Sequence, residues 1–228
     1  MTRTTTIPPS LKNKLIVSCQ ALPGDPLDHV DTLRRIAISV VRGGAGGLRA
    51  NGAEHIAAFR QDTDLPIIGI SKQFANSSPL ITPDFAAAEA IARAGADIIG
   101  LDCTASRPAL MEPWPDLVTR IQCDLGKPVL ADIATLDEAL AAEQAGADAV
   151  ATTMYGYTPE TAGNRSIHWP LVEQLVNRLH LPVILEGHVR QPEEMRHAFD
   201  LGVFSVVVGA AITQPETITA RFVQSANN

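Results

Sequence analysis

The sequence predicts an α/β protein of one domain, a (β/α)8 or TIM barrel over residues 1–228. Short apolar runs rich in Val and Ile alternate along the chain with longer Ala- and Leu-rich stretches of helical periodicity. The runs are continuous rather than interrupted by polar residues, which is typical of parallel strands buried on both faces. Eight runs in 228 residues fit a compact barrel of eight βα units, whose usual length is about 250 residues.

The eight runs predict the strands of the barrel. In chain order they are residues 15–18, 45–48, 66–70, 97–101, 128–131, 147–151, 182–185 and 203–208. The second run contains two glycines, which lower strand propensity, so its assignment rests partly on the rhythm of its neighbours.

Helix-start signals lie between these runs. Residues 82–84, Thr-Pro-Asp, precede an Ala-rich stretch at 85–94, and Thr135 with Glu138 forms a capping-box pattern. Residues 191–194 open another helix with Pro at an early position. Residues 1–13 are expected to form an N-terminal extension or leading helix.

A short repeat marks the passage from helix to strand. Ala-Gly-Ala-Asp occurs at 94–97 and at 145–148, and Leu-Gly-Val stands in the equivalent place at 201–203. Each Gly can adopt the left-handed conformation that ends a helix. A doubly wound open sheet is the alternative fold, but it more often carries G-x-G-x-x-G after the first strand, where residues 20–24 read Gln-Ala-Leu-Pro-Gly. The barrel is therefore favoured.

The amino-acid composition argues against several classes of binding partner. The 18 Lys and Arg against 25 Asp and Glu give a net charge of −7 without a basic cluster, which argues against a nucleic acid or an anionic membrane as partner. No signal peptide is recognisable, and the longest uncharged stretch is shorter than the ~18 residues that span a bilayer. The three cysteines are widely spaced and predict neither a disulfide framework nor a zinc site, so we expect a cytoplasmic protein with a small-molecule ligand.

Polar residues follow most of the predicted strands. Active sites of such barrels lie at the carboxyl ends of the strands, so these residues are the site candidates, although strand ends also return to solvent for structural reasons alone. The closing residues are Gln20, Arg49, Lys72, Asp102, Asp132, Thr152 with Thr153, Glu186 and Gly209.

The same positions argue against a metal centre. Only His188 of the six histidines stands at a strand end, and no metal-ligand spacing such as H-E-x-x-H is present. Lys72 and Arg49 would repel a cation held by neighbouring carboxylates. We predict neither a metal nor a cofactor.

Glycines after the last two strands predict a phosphate site. Loops that follow strands 7 and 8 of these barrels often hold phosphate through exposed backbone N–H groups. Tight βα turns would explain the same glycines without a ligand. The predicted phosphate-binding residues are Gly187, His188, Gly209 and Ala210.

Longer phrases resemble a known family. Residues 15–27 and 66–72 closely resemble the N-acylglucosamine-6-phosphate 2-epimerases, which interconvert N-acetylmannosamine 6-phosphate and N-acetylglucosamine 6-phosphate in bacterial sialic acid breakdown. The resemblance covers nearly the whole chain and implies a homodimer. It implies that Lys72 and Glu186 form the catalytic pair. The substrate-binding residues that it implies are Gln20, Arg49, Asp132, Thr153 and Tyr157.

The residue types suit that reaction. Inversion of C2 requires a proton to be removed beside the aldehyde of the open-chain sugar and another to be returned on the opposite face. Lys72 can act as a base only if burial and the charge of Arg49 lower its pKa, and Glu186 could serve the other face. Arg49 could stabilise the enolate, and Asp132 could hold a hydroxyl or orient Lys72.

Three arginines that the family usually carries are replaced. Gln73 follows Lys72, His188 follows Glu186-Gly187, and Gln214 lies between Thr213 and Pro215. Neither Gln nor His provides the permanent charged fork of Arg, so a different or unphosphorylated sugar stays open as substrate. A Schiff-base aldolase or lyase that uses Lys72 would fit the same strand-end lysine, and a non-catalytic sugar-binding protein would fit the missing arginines.

Overall fold

A computed structural model describes residues 6–75, 78–108 and 111–226. Eight parallel strands close into a barrel in the order β1-β10-β9-β8-β7-β6-β3-β2, which confirms the predicted fold class. The barrel strands are β1 (Leu15–Cys19), β2 (Gly47–Asn51), β3 (Ile67–Ile70), β6 (Ile98–Asp102), β7 (Val129–Asp132), β8 (Ala149–Ala151), β9 (Val183–Glu186) and β10 (Ser205–Val208).

Helices follow the strands around the barrel. Within the described residues they are α1 (Val30–Arg42), α2 (Ala53–Arg60), α3 (Phe85–Arg93), α4 (Trp114–Asp124), α5 (Leu136–Gln144), α6 (Trp169–Arg178), α7 (Pro192–Asp200), α8 (Ala210–Thr213) and α9 (Pro215–Ala226). The Thr135–Glu138 capping box at α5 is confirmed, and Gln191 with Glu194 forms a second box at α7.

Strand bounds differ from the predicted ones by one or two residues at several strands, and two differences bear on the site. The second strand begins at Gly47 rather than residue 45, so Arg49 is the third residue of β2 instead of the residue that closes it. After β3 the chain forms an unpredicted antiparallel hairpin of β4 (Lys72–Ala75) and β5 (Ser78–Ile81). Lys72 is therefore the first residue of β4, at the carboxyl end of the barrel.

The repeated Ala-Gly-Ala-Asp phrase has two structural roles. Gly95 and Gly146 have φ of 109° and 82°, as expected for residues that end a helix in the left-handed region. The aspartates that follow accept hydrogen bonds from the start of a neighbouring strand: Ile67 N donates to Asp97 at 2.9 Å and Val129 N donates to Asp148 at 2.8 Å. Each repeat therefore ends a helix and fixes the next strand pair.

The barrel interior is closed by apolar side chains at its amino-terminal end. A 3-10 turn, Pro9–Leu11, places Leu11 at full burial against the interior, close to Gly47. Interior strand residues such as Ile16, Ile68 and Ile184 belong to the same apolar cluster. The polar strand ends lie at the opposite, carboxyl end, where a ligand can enter.

Candidate active site

A cavity of about 510 Å³ opens at the carboxyl end of the barrel. Its volume is within the range of small-ligand sites. Most of the predicted site residues contribute to its lining, whereas Arg49, Asp102, Asp132 and Thr152 do not. The predicted residues that line it are Gln20, Lys72, Thr153, Tyr157, Glu186, Gly187, His188, Gly209 and Ala210.

Arg49 and Asp132 form a buried ion pair instead. Both side chains are fully inaccessible, and Arg49 donates from Nη1 and Nη2 to the two Asp132 oxygens at 3.0 and 2.7 Å. Gly100 makes room for them, because a Cβ there would lie 3.3 Å from Asp132 Oδ2 and 3.5 Å from Arg49 Nη2. The pair is thus built into the barrel interior, next to the cavity.

The same guanidinium fixes Glu186. Arg49 Nη1 donates to Glu186 Oε2 at 2.6 Å, and the backbone N of Glu186 donates to the Thr152 hydroxyl at 3.0 Å. Burial raises the pKa of the Glu186 carboxyl to about 6, although the charges of Arg49 and Lys72 act in the opposite direction. A carboxyl with that pKa can both accept and release a proton near neutral pH.

Lys72 is perturbed in the complementary direction. Burial lowers the pKa of its ammonium, and the positive charge of Arg49 lowers it further, while the charges of Glu186 and Asp132 oppose the shift. Its backbone N donates to Asn51 Oδ1 at 2.7 Å, which ties the start of β4 to the end of β2. An amine with a lowered pKa and a carboxyl with a raised pKa in one cavity are together suited to proton transfer near neutral pH.

Thr153 and Gln20 complete the polar part of the cavity. The Thr153 hydroxyl donates to Asp132 Oδ1 at 2.5 Å, so it orients a buried carboxylate while facing the cavity. Gln20 Nε2 donates to the Ser18 hydroxyl at 2.7 Å, and Gln20 Oε1 is buried with no hydrogen-bond partner among the described residues. That amide oxygen can accept a hydrogen bond from a ligand hydroxyl.

Aromatic side chains line one side of the cavity mouth. The Tyr157 and His188 rings stack with centroids 5.9 Å apart, and Tyr157 is 48% exposed. His188 Nε2 donates to the Tyr155 carbonyl at 3.0 Å, and the residue has a positive φ of 62°. This backbone geometry directs the imidazole toward the Tyr155 loop.

Asp102 does not line the cavity. Its Oδ1 accepts hydrogen bonds from the backbone N and the hydroxyl of Thr104 at 2.9 and 2.7 Å. Burial raises the pKa of the Asp102 carboxyl, with the Thr104 bonds opposing the shift. It stabilises the loop after β6.

Three further arginines line the cavity, and none of them was predicted from the sequence. Arg165 lies in the loop after β8, Arg190 four residues after Glu186, and Arg221 on α9. Only Arg190 is close to a strand end, so a search restricted to strand ends could not find the other two. Among the replaced positions, His188 and Gln214 line the cavity, whereas Gln73 is exposed on the hairpin.

Comparisons with known proteins agree on one family. Residues 33–228 match the profile of a family provisionally described as N-acetylmannosamine-6-phosphate epimerase. A Clostridium perfringens protein provisionally named N-acetylmannosamine-6-phosphate 2-epimerase is 42% identical over 93% of this chain and 96% of its own. A Thermosynechococcus vestitus protein of the same provisional name is 47% identical over 89% of both chains.

Solved structures extend the comparison. The N-acetylmannosamine-6-phosphate 2-epimerase from Clostridium perfringens superposes with a TM-score of 0.89 at 41% identity, covering 95% of this chain and 94% of that one. A thiamine phosphate pyrophosphorylase from Pyrococcus furiosus matches with a TM-score of 0.60 at 19% identity, over 95% and 98% of the two chains. The second match concerns the fold alone.

Proposed function

The chain belongs to the N-acetylmannosamine-6-phosphate epimerase family, and we propose that it interconverts N-acetylmannosamine 6-phosphate and N-acetylglucosamine 6-phosphate. The observation that carries the proposal is the pairing of Lys72 and Glu186 in one cavity, with pKa values displaced toward each other. Two groups of this kind suit epimerisation at C2, because one can remove a proton and the other can supply one to the opposite face.

In the proposed mechanism the open-chain sugar presents C2 between the two groups. One group takes the C2 proton, and the electron pair of the C–H bond moves into the C1–C2 enolate. The other group then gives a proton to the opposite face of C2, and the aldehyde reforms. At the end of the reaction the first group carries the proton taken from C2, and the second group has lost the proton that it gave to C2. Each epimer is therefore processed by the form of the enzyme in which the other group is protonated.

Arg49 acts as a positioning residue in this scheme. It is fully buried and bonded to Asp132 and Glu186, so it orients the Glu186 carboxylate and lowers the pKa of Lys72 by its charge. Thr153 and Asp132 form a hydrogen-bonded unit that can hold a sugar hydroxyl at the cavity wall. The amide oxygen of Gln20 can accept a hydrogen bond from a sugar hydroxyl, and the ring of Tyr157 can contact the sugar.

The phosphate is proposed to lie against Gly187, His188, Gly209 and Ala210. These residues line the same cavity as Lys72 and Glu186, and the glycines leave the backbone open to a ligand. Phosphate commonly binds at this place in (β/α)8 barrels. We therefore expect the backbone N–H groups of these four residues to contact the 6-phosphate.

We also infer a homodimer that works in the cytoplasm. α9 buries none of its residues, and Phe222 on it is 75% exposed, which suits a helix that packs on a second copy. The cysteines Cys19, Cys103 and Cys123 are all free thiols, as is usual in a reducing compartment.

Within the described residues, no helix is both long enough and apolar enough to cross a membrane.

Proton NMR in D2O tests the reaction. We expect the C2–H signal of N-acetylmannosamine 6-phosphate to disappear as deuterated N-acetylglucosamine 6-phosphate forms. Lys72→Met and Glu186→Gln should each lower kcat by at least the ~100-fold typical of losing a general acid or base. The matched controls Lys12→Met and Glu173→Gln, which change exposed residues, should retain the rate.

Two results would contradict the proposal. A folded protein that neither exchanges C2–H nor forms the epimer would exclude this reaction for this substrate. A covalent adduct on Lys72 after borohydride treatment with the sugar would instead indicate Schiff-base chemistry.

A further inference from the structure

The charged residues that line the cavity are unevenly distributed. Glu186 is the one carboxylate among its described lining residues, against four cations. One cation, Lys72, is part of the proton-transfer pair, which leaves Arg165, Arg190 and Arg221 at the mouth. The chain as a whole carries a net charge of −7, so this concentration of positive charge is a local feature.

In the part of the chain that the structure describes, no carboxylate forms an ion pair with these three arginines. The ion pairs found there include Arg34, Arg35, Arg49, Arg60, Arg93 and Arg120. Arg165, Arg190 and Arg221 are in none of them. Three guanidinium groups around one cavity repel each other unless an anion lies between them.

Neutral groups hold these guanidinium groups in place. Arg165 Nη1 donates to the Gly156 carbonyl at 3.2 Å, and its Cζ lies 5.2 Å from the centroid of the Tyr157 ring. Arg190 Nη2 donates to the Arg165 carbonyl at 2.8 Å, and Arg221 Nη2 lies 3.5 Å from the Arg190 carbonyl. The three side chains thus follow one another around the mouth, joined through main-chain oxygens.

Each guanidinium keeps most of its donors for a ligand. An Arg side chain has five N–H groups in a planar fork that fits phosphate oxygens in pairs. The bonds to main-chain oxygens use one terminal nitrogen of each side chain. The remaining donors are available to a dianion at the mouth of a cavity whose wall already has glycine backbone at Gly187 and Gly209.

We propose that Arg165, Arg190 and Arg221 form an arginine rim that binds the phosphate of the sugar substrate and selects phosphorylated over unphosphorylated sugars. The inference rests on the proposed function, since it assigns a role at the same cavity. It also accounts for the uncharged residues Gln73 and Gln214: the positive charge that recognises phosphate comes from the loops after β8 and β9 and from α9.

The test compares Arg165→Gln, Arg190→Gln, Arg221→Gln and the triple variant with the wild type. We expect kcat/KM for N-acetylmannosamine 6-phosphate to fall about tenfold to a hundredfold for each arginine, because each removes a charge-assisted hydrogen bond. The loss should lie in KM with kcat retained, since the phosphate is bound equally in ground and transition states. The kcat/KM for the unphosphorylated sugar should fall much less, so that the preference for the phosphorylated sugar decreases.

The control is Arg178→Gln, which removes the same charge from an exposed position on α6. Inorganic phosphate is the second probe: it should inhibit the wild type competitively and inhibit the triple variant much more weakly. Arg190→Lys should recover part of the loss, because it restores charge without the fork.

The outcomes separate the rim from the reaction. If the folded triple variant keeps its preference for the phosphorylated sugar, the rim is overturned while the epimerase function stands. If inorganic phosphate binds to the rim but does not inhibit competitively with the sugar phosphate, the proposal is also overturned. If the wild type turns over neither sugar, 31P NMR titration with the sugar phosphate decides: line broadening lost in the triple variant supports the rim, and broadening retained there excludes it.

Discussion

At the residue scale, the charges next to the catalytic cavity balance. Arg49 and Lys72 are cations, and Asp132 and Glu186 are anions when all four are ionised. Transfer of one proton from Lys72 to Glu186 therefore leaves the net charge of the group unchanged. The two protonation forms that epimerisation requires differ by an internal proton shift rather than by a new buried charge, which would be costly.

The titration of Glu186 is the first prediction. We expect its carboxyl to titrate near pH 6 rather than near 4.5, because burial disfavours the carboxylate. Lys72→Met should raise that midpoint further, since the Lys72 charge stabilises the ionised form. Activity should fall as pH drops through about 6, where the base becomes protonated.

The measurement is 13C NMR of protein labelled at glutamate side chains, with the Glu186 signal assigned by its loss in Glu186→Gln. The free enzyme is used because the substrate phosphate itself titrates near pH 6. Glu173→Gln, on the exposed face of α6, should leave the signal in place. A midpoint close to 4.5, or a downward shift in Lys72→Met, would contradict the electrostatic account.

The sequence predicted the members of the cavity better than their contacts. Lys72 and Glu186 were found because residue type at the carboxyl end of a strand is a local feature. The burial of Arg49 was not, because its partner Asp132 lies 83 positions away and the pairing exists only when the barrel closes. Arg165 and Arg221 were missed for the same reason: a loop and a terminal helix bring them to the cavity.

At the element scale, repetition made most of the barrel predictable. Apolar runs, helix caps and the helix-ending glycines before β6, β8 and β10 recur, so neighbouring units support each other's assignment. The β4–β5 hairpin breaks this pattern. Its second strand contains Pro79, which cannot donate a ladder hydrogen bond, and turn-forming residues precede it, so the segment has the composition of a loop.

The loop after β8 gives a prediction for Gly156. It has φ of 89°, and a Cβ there would lie 2.4 Å from the Asn164 carbonyl oxygen, which belongs to the same loop as Arg165. Gly156→Ala must displace that backbone and with it the Arg165 guanidinium. We expect KM for the sugar phosphate to rise at least tenfold, in line with the loss of a charged contact.

Gly163→Ala is the matched control. Its φ of 86° gives the same backbone strain of about 1–2 kcal/mol, but no atom lies within 4 Å of the added Cβ. Urea unfolding of both variants measures the cost of the backbone strain, and steady-state kinetics measures the effect of displacing Arg165. Equal KM values for the two variants would show that the close approach of Gly156 to Asn164 has no functional role.

At the scale of the whole molecule, the sign of the charge at the cavity is opposite to the net charge of the chain. The arginine rim lies around one opening of a chain whose net charge is −7, so an approaching anion is attracted locally at the cavity. The rate of substrate capture should accordingly depend on ionic strength. The net charge predicted a small ligand from the sequence alone, whereas the grouping of three arginines at the cavity could be seen only in the folded barrel.

The association of two chains is the last prediction. α9 has no buried residue, and it exposes 75% of Phe222 and 54% of Val223, although the barrel is otherwise closed by helices. Burial of one large apolar side chain contributes about 1.5–3 kcal/mol, so losing both from an interface should separate the chains. We expect the wild type to have the mass of two chains, and Phe222→Asp/Val223→Asp to have the mass of one, in size-exclusion chromatography with light scattering. Gln224→Asp, which adds a charge to the same exposed turn without removing apolar surface, should remain dimeric. A wild type with the mass of one chain at micromolar concentration would exclude the dimer, and a double variant that stays dimeric would place the interface elsewhere than α9.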